Sequence, residues 1–295
     1  MTLCVSWIRR CGHNKELILA SDSLLTGGGD FTESPKIFPL KRGDCAIACA
    51  GDTSYSFPIV AHIIQSIDLN VKSKTRAQDF VDLVHYFEEL MNSCLGSVVD
   101  PVAEKGKGPD FQMLFVGYSA RFKDFRMVVY QYDKRSRMMK RRTVSTLKKN
   151  KVAVIGDQGV AKKGEQNVVS RYRRALFLKL EQDGVRDNDP IDMQPLDVLY
   201  NFIQDSQLRT VGGHPQMLKI YDFMSTLPYA IMERNDKDLV FYMGRKLMNY
   251  ESFPYPIFNM ENHEVLYMKG TKDDFKRKTQ EIKSLDQFEE GTFVR

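Results

Sequence analysis

Met1-Thr2-Leu3-Cys4-Val5-Ser6-Trp7-Ile8-Arg9-Arg10 opens the chain, and Cys11-Gly12-His13-Asn14 separates it from Glu16-Leu17-Ile18-Leu19-Ala20. Leu3–Arg9 has the apolar, β-prone residues of a strand, and so does Glu16–Ala20. The glycine-containing turn between them predicts an antiparallel hairpin. A secretory leader would show a basic start followed by about 7–15 apolar residues. Here the apolar run is strand-sized and ends in charge, so the fold is expected to begin at residue 2 without a leader.

A second strand pair is predicted at Lys36–Leu40 and Cys45–Ala50, joined by Lys41-Arg42-Gly43-Asp44. Gly51-Asp52-Thr53 then opens a helix, with Asp52 or Thr53 as N-cap. Ile59, Ile63, Ile64 and Ile67 recur at helical spacing. Ala77–Leu95 predicts a second helix with Phe80, Leu83, Val84 and Phe87 on one face. Strands follow at Phe111–Ser119 and Phe125–Asp133, then a basic segment from Lys134 to Lys151 and a short buried strand at Val152–Ile155. Helices are predicted at Val160–Gln182 and Pro195–Gln207, and final strands at Met217–Phe223, Tyr229–Met232 and Leu239–Tyr242. Strands do not alternate one-to-one with helices, which disfavours a doubly wound parallel sheet. Two antiparallel sheets, each covered by a helix pair, would form a four-layer sandwich.

Composition narrows the functional classes. The chain has 295 residues, enough for one large domain or two small ones. Its hydrophobic fraction of 42% and charged fraction of 27% are those of a globular protein and argue against extensive disorder. No window reaches the roughly 18 consecutive apolar residues of a membrane helix. The five cysteines are odd in number and contain no CxxC pair, so neither a disulfide framework nor a zinc site is expected. A reducing, cytoplasmic location fits this pattern. The net charge of +5 is only a weak pointer to anionic partners.

The chemistry concentrates near the N-terminus. Thr2 follows the initiator methionine, and a small residue there permits removal of Met1. The freed α-amine, with a reference pKa of about 7.7–8.0, can take the proton of the threonine's own hydroxyl. Taken alone, a Met-Thr start carries no such meaning in most proteins. Asp22 ends the second strand, Lys36 begins the third and Gly51 leads from strand to helix. A strand pair can place Asp22 and Lys36 beside the first residue of the first strand. The ammonium would depress the amine's pKa, the carboxylate would hold the ammonium, and a backbone N–H at Gly51 could face an oxyanion. Singly, Asp22 also suits a turn, Lys36 a strand-end surface charge and Gly51 a helix start.

With Leu19-Ala20-Ser21-Asp22-Ser23, Lys36-Ile37-Phe38-Pro39-Leu40 and Ile47-Ala48-Cys49-Ala50-Gly51-Asp52, the N-terminal half resembles the proteasome β-subunit group of N-terminal nucleophile (Ntn) hydrolases. It is similar too to bacterial proteasome-like proteins whose first strand starts directly after Met. Met113-Leu114-Phe115-Val116-Gly117-Tyr118, Val154-Ile155-Gly156-Asp157-Gln158-Gly159 and Val211-Gly212-Gly213 extend the likeness to about residue 243. The resemblance implies an α+β, four-layer αββα sandwich of two antiparallel sheets over residues 2–243, with 244–295 as a C-terminal extension. It implies a threonine protease or amidohydrolase that attacks a peptide or amide carbonyl through an acyl-enzyme. Thr2 would be the nucleophile, its amine the base, Gly51 N–H the oxyanion donor, and Asp22 and Lys36 the tuning pair. Homo-oligomers are expected, an unfoldase partner is left open, and no cofactor, metal or membrane is called for.

Two departures keep an alternative open. Asp157 stands where the family's Gly-Ser-Gly turn has its serine, and its charge would raise the amine's pKa. Leu208-Arg209-Thr210-Val211 replaces the Asp and Ser expected before Gly212-Gly213. The alternative is a catalytically inactive proteasome-like subunit, a scaffold or sensor. It could contact anionic partners through Lys134, Arg135, Arg137, Lys140, Arg141, Arg142, Lys148, Lys149 and Lys151, although nucleic acid is not expected and a solvated hairpin is the plainer account. Gly27-Gly28-Gly29 lacks the Lys-Ser/Thr ending of a phosphate loop. The histidines show no metal spacing, and Cys4 reads as a small core residue.

Overall fold

The computed structural model describes residues 2–12, 14–26, 29–99, 109–144, 152–156, 167–186, 189–234, 239–248, 250–251 and 253–267. Among them the N-terminal hairpin forms from β1 (Leu3–Cys11) and β2 (Asn14–Ser21), in register from Cys4↔Ser21 to Cys11↔Asn14. A five-stranded antiparallel sheet follows, ordered β3 (Ile37–Pro39), β4 (Cys45–Gly51), β5 (Phe111–Ser119), β6 (Asp124–Asp133) and β7 (Met138–Thr143). The larger sheet centres on β1 and β2. β8 (Val152–Gly156) flanks β1, while β9 (Gln216–Tyr221), β10 (Thr226–Met232), β11 (Val240–Tyr242) and β12 (Arg245–Lys246) continue from β2.

Strand alternation sorts the side chains into three packed layers. Leu3, Val5 and Trp7 face α4 (Val168–Gln182) and α5 (Gln194–Gln204), joining Tyr172, Leu196 and Leu199. Cys4, Ile8, Leu17 and Leu19 face the other sheet and meet Ala46, Ala48, Leu114 and Val116. On that sheet's far side Ile47, Met113 and Phe115 pack under α1 (Thr53–Leu69) and α3 (Phe80–Gly96), with the short α2 (Val71–Lys74) between the two helices in sequence. The order of layers is therefore helix pair, sheet, sheet, helix pair: the expected αββα sandwich. Both faces of each sheet are covered, which is why β1 and β2 are apolar on consecutive residues.

The helix starts follow their caps. Asp52 accepts from Ser54 N at 3.0 Å at the head of α1. Asp79 caps α3 in a reciprocal box with Asp82, so that helix begins at Phe80 rather than at Ala77. Asn167 has extended backbone and accepts from Ser170 N, so α4 starts at Val168; residues 160–166 of the expected helix lie outside the described residues. Three further strand pieces had no sequence counterpart: β12, β13 (Ile257–Asn259) and β14 (Val265–Leu266). β10 pairs with β9 over Thr226–Tyr229, and its remaining residues Ala230–Met232 pair with both β11 and, in parallel, β13. Of the expected extension, the described β12, β13 and β14 thus add to the large sheet.

The basic segment begins as the β6–β7 hairpin. Arg141 pairs with Glu88 and Lys140 with Asp133, and the Lys140 contact holds the Asp133 carboxyl down at about 2. Two of its six described basic side chains are thus paired locally. Lys148, Lys149 and Lys151 lie outside the described residues. None of the described helices is long and apolar enough to cross a membrane.

Gly117 shows how tightly α3 sits on its sheet. A Cβ there would lie 2.6 Å from the Phe80 ring and 2.7 Å from Asp44 O. Gly117→Ala is expected to lower stability by about 1–3 kcal/mol through overpacking, read as a shifted midpoint in denaturant unfolding. An unchanged midpoint would show that α3 yields without cost.

Candidate active site

Antiparallel pairing brings one end of each sheet to a common edge. The start of β1, the ends of β2 and β8 and the start of β9 meet there, as shown by the pairs Leu3↔Gly156, Cys4↔Ser21 and Ser21↔Gln216. The end of β4 and the start of β5 meet at Gly51↔Phe111. Thr2, Asp22 and Lys36 are all buried, at 2%, 0% and 1% exposure. Thr2 immediately precedes β1 and shares the parity of Cys4, so it is placed on the face toward the second sheet.

Asp22 is the centre of this edge. Its Oδ1 accepts from Lys36 Nζ at 2.9 Å and from Leu3 N at 2.9 Å, and its Oδ2 accepts from Gly212 N at 3.2 Å. Its own N–H donates to Leu3 O at 3.3 Å. One carboxylate thus fixes an ammonium, the residue after Thr2 and the late glycine pair. Lys36 Nζ donates in addition to Leu24 O at 2.6 Å. Bonds in which a partner is ionised are the stronger ones, and burial strips them of solvent competition.

Gly51 occupies the left-handed region at φ +98°, and a Cβ there would come within 2.3 Å of Asp110 O. Asp52 N donates to Asp110 O on the β5 side, and Cys49 N donates to Lys36 O on the β3 side. By alternation the Gly51 N–H points to the β3 edge, beyond Lys36. Gly156 is packed so closely against β1 that a Cβ would meet Thr2 O at 2.8 Å. Asp157, Gln158 and Gly159 lie outside the described residues.

Cys4, the neighbouring thiol, is fully buried. Burial pushes it far above its ordinary value, against the opposing effects of the Ser21 hydrogen bond and the Lys36 charge. Its Sγ sits 3.0 Å from Ser21 Oγ. Cys49 is likewise pushed up to about 11 by burial, against a hydrogen bond to Ser56 and the Lys36 charge.

Sequence reasoning missed two glutamines. Gln216 Oε1 accepts from Lys36 N at 3.1 Å, while its Nε2 donates to Asp22 O at 3.1 Å and Ser34 O at 2.7 Å. Gln112 reaches from the small sheet to accept from Gly156 N at 3.3 Å. A polar residue at a strand end carries no signal of either role. Ser23, quoted above only as part of a motif, donates to Thr32 O and accepts from His214 N. His214 in turn contacts Glu233 at 2.7 Å and stacks on Phe241. In place of the absent Asp and Ser, Leu208 and Val211 are buried apolar residues.

The buried pair gives a direct energetic test. Asp22→Asn and Lys36→Met should each cost about 3–5 kcal/mol by stranding the other charge. The double substitution should cost less than the sum by about 1 kcal/mol or more. Additive losses in denaturant unfolding would show that the two groups are not coupled.

No family model and no curated protein matches the chain. Solved structures do. The Anbu complex of Pseudomonas aeruginosa, described as a helical assembly, aligns over 99% of this chain and 100% of its own, at 15% identity and TM-score 0.53. An Anbu Gly-1 mutant from Hyphomicrobium sp. strain MC1 aligns over the whole of both chains at 8% identity and TM-score 0.49. At such identity the first likeness speaks for architecture alone, the four-layer αββα sandwich.

Proposed function

We propose that this chain is an N-terminal threonine hydrolase of the bacterial proteasome-like branch, cleaving peptide or amide bonds through an acyl-enzyme. The observation that carries the reading is the Asp22 carboxylate, which accepts from both Lys36 Nζ and Leu3 N at 2.9 Å. A buried cation is thereby tied to the backbone adjoining Thr2. After removal of Met1, the α-amine serves as general base for Thr2 Oγ, and the Lys36 charge depresses the amine's pKa. Oγ attacks the carbonyl, the oxyanion takes the Gly51 N–H, and the proton passes to the leaving amine. Water then hydrolyses the ester. Asp157, which the same reading expects near the amine, lies outside the described residues.

Residues 2–243 form the hydrolase domain in this reading and 244–295 its extension. Self-assembly is part of the proposal, supported by the helical assembly of the Anbu complex. A cytoplasmic setting is supported by five free cysteines. A second reading, an inactive subunit acting as scaffold or sensor, is favoured by Leu208-Arg209-Thr210-Val211 in place of the family's Asp and Ser.

Thr2→Ala is expected to abolish covalent labelling by a β-lactone or epoxyketone probe, and the unsubstituted protein's intact mass should be lower than the full sequence by one methionine. Retained Met1 favours the scaffold. Undiminished labelling of the alanine variant overturns the nucleophile.

A further inference from the structure

We propose that Gln216 is a positioning residue for the Thr2 site, acting through the backbone of both members of the Asp22–Lys36 pair. This inference rests on the threonine-hydrolase reading. Gln216 is the first residue of β9 and is fully buried. Its amide makes three bonds to two segments, one that follows β2 and one that precedes β3. The acceptor oxygen takes Lys36 N at 3.1 Å, and the donor nitrogen supplies Asp22 O at 3.1 Å and Ser34 O at 2.7 Å.

The geometry assigns a division of labour. The side chains of Asp22 and Lys36 meet directly, but each projects from a segment outside the regular ladders, after β2 and before β3. The two backbones touch directly at Ser34 N, which donates to Ser23 O at 3.0 Å, and at the isolated bridge Leu25↔Phe31. Gln216 adds the link at Asp22 and Lys36 themselves, because a primary amide offers a double donor and an acceptor on one rigid plane. A carboxylate or an aliphatic chain of the same length offers no such combination. The far side of the amide is closed as well. A Cβ on Gly244, in the β11–β12 turn, would stand 3.1 Å from Gln216 Nε2 and 2.4 Å from Ser23 Cβ. Gly244 thus closes one side of the Gln216 amide, and the backbone that carries Lys36 is held from the other.

Gln216→Glu keeps the shape and replaces the two donor hydrogens by an oxygen facing two carbonyls. When protonated, that oxygen donates to one of them; when ionised, it repels both. Burial raises such a carboxyl's pKa toward neutrality, so the defect grows as pH rises. The experiment measures β-lactone labelling of Thr2 in the full chain from about pH 5.5 to 9, below the melting temperature of each variant at each pH. The parent-to-variant rate ratio is expected to rise by about tenfold or more from acid to alkaline pH. Gln216→Ala should slow labelling and move the acid limb of the profile upward, since a loosened Lys36 depresses the amine's pKa less. On the unsubstituted chain, which needs no variant to fold, the Gln216 side-chain amide protons should exchange with water at least about 100-fold slower than a free glutamine amide.

A pH-independent ratio for Gln216→Glu, an unmoved acid limb for Gln216→Ala, or free-amide exchange in the parent overturns the positioning role alone. Labelling that persists in Thr2→Ala removes the hydrolase reading, and this inference with it.

Discussion

The rest of the site depends on a carboxylate that has been taken out of water. Asp22 is wholly buried, and an ionised carboxylate in that position is tolerable only if every oxygen is answered. Lys36, Leu3 and Gly212 answer it. These partners come from three separate parts of the chain, so satisfying one charge forces β1, the loop before β3 and the turn before β9 to a common edge. The architecture and the chemistry of the edge are thus not independent. A chain that failed to bring Gly212 and Lys36 together would leave a stranded charge as well as an unformed site.

The sandwich supplies what that edge needs. Helices on the outer faces let both sheets be apolar on both sides, which dries the layer between them. Small residues there, Ala46, Ala48 and Ala50, allow close approach of the sheets. Gln112 then crosses the gap to Gly156, coupling the small sheet to the strand beside Thr2. Gly51 is permitted its positive φ because no side chain is present to strike Asp110 O.

Much of this was legible in the sequence. β1, β2, β4, β5 and β6 are long enough for apolar patterning to reveal them, and Asp52 marks its helix by type and place. Asp22 after β2, Lys36 before β3 and Gly51 at the end of β4 stood out through their order along the chain. The start of α4 was obscured because a polar run precedes Asn167, and polar residues give no helical phase. β12, β13 and β14 are two or three residues long, below the length at which alternation has meaning. Gln216 was invisible for another reason. Its partners Asp22, Ser34 and Lys36 are 194, 182 and 180 positions away in sequence. No local pattern encodes a contact whose identity is set wholly by the tertiary fold.

The placement of β1 in the large sheet has a consequence for the order of events during synthesis. All five strands of the small sheet fall within residues 37–143, so that sheet and its helices can assemble while the rest of the chain is still being made. β1 has to wait for β8 on one side, and β2 for β9, so the large sheet closes late. Thr2 ends with 2% of its surface exposed. If the first residue is trimmed, as the hydrolase reading requires, β1 is most open to a processing enzyme on the nascent chain, before β8 arrives, and slower synthesis between β2 and β8 would lengthen that interval.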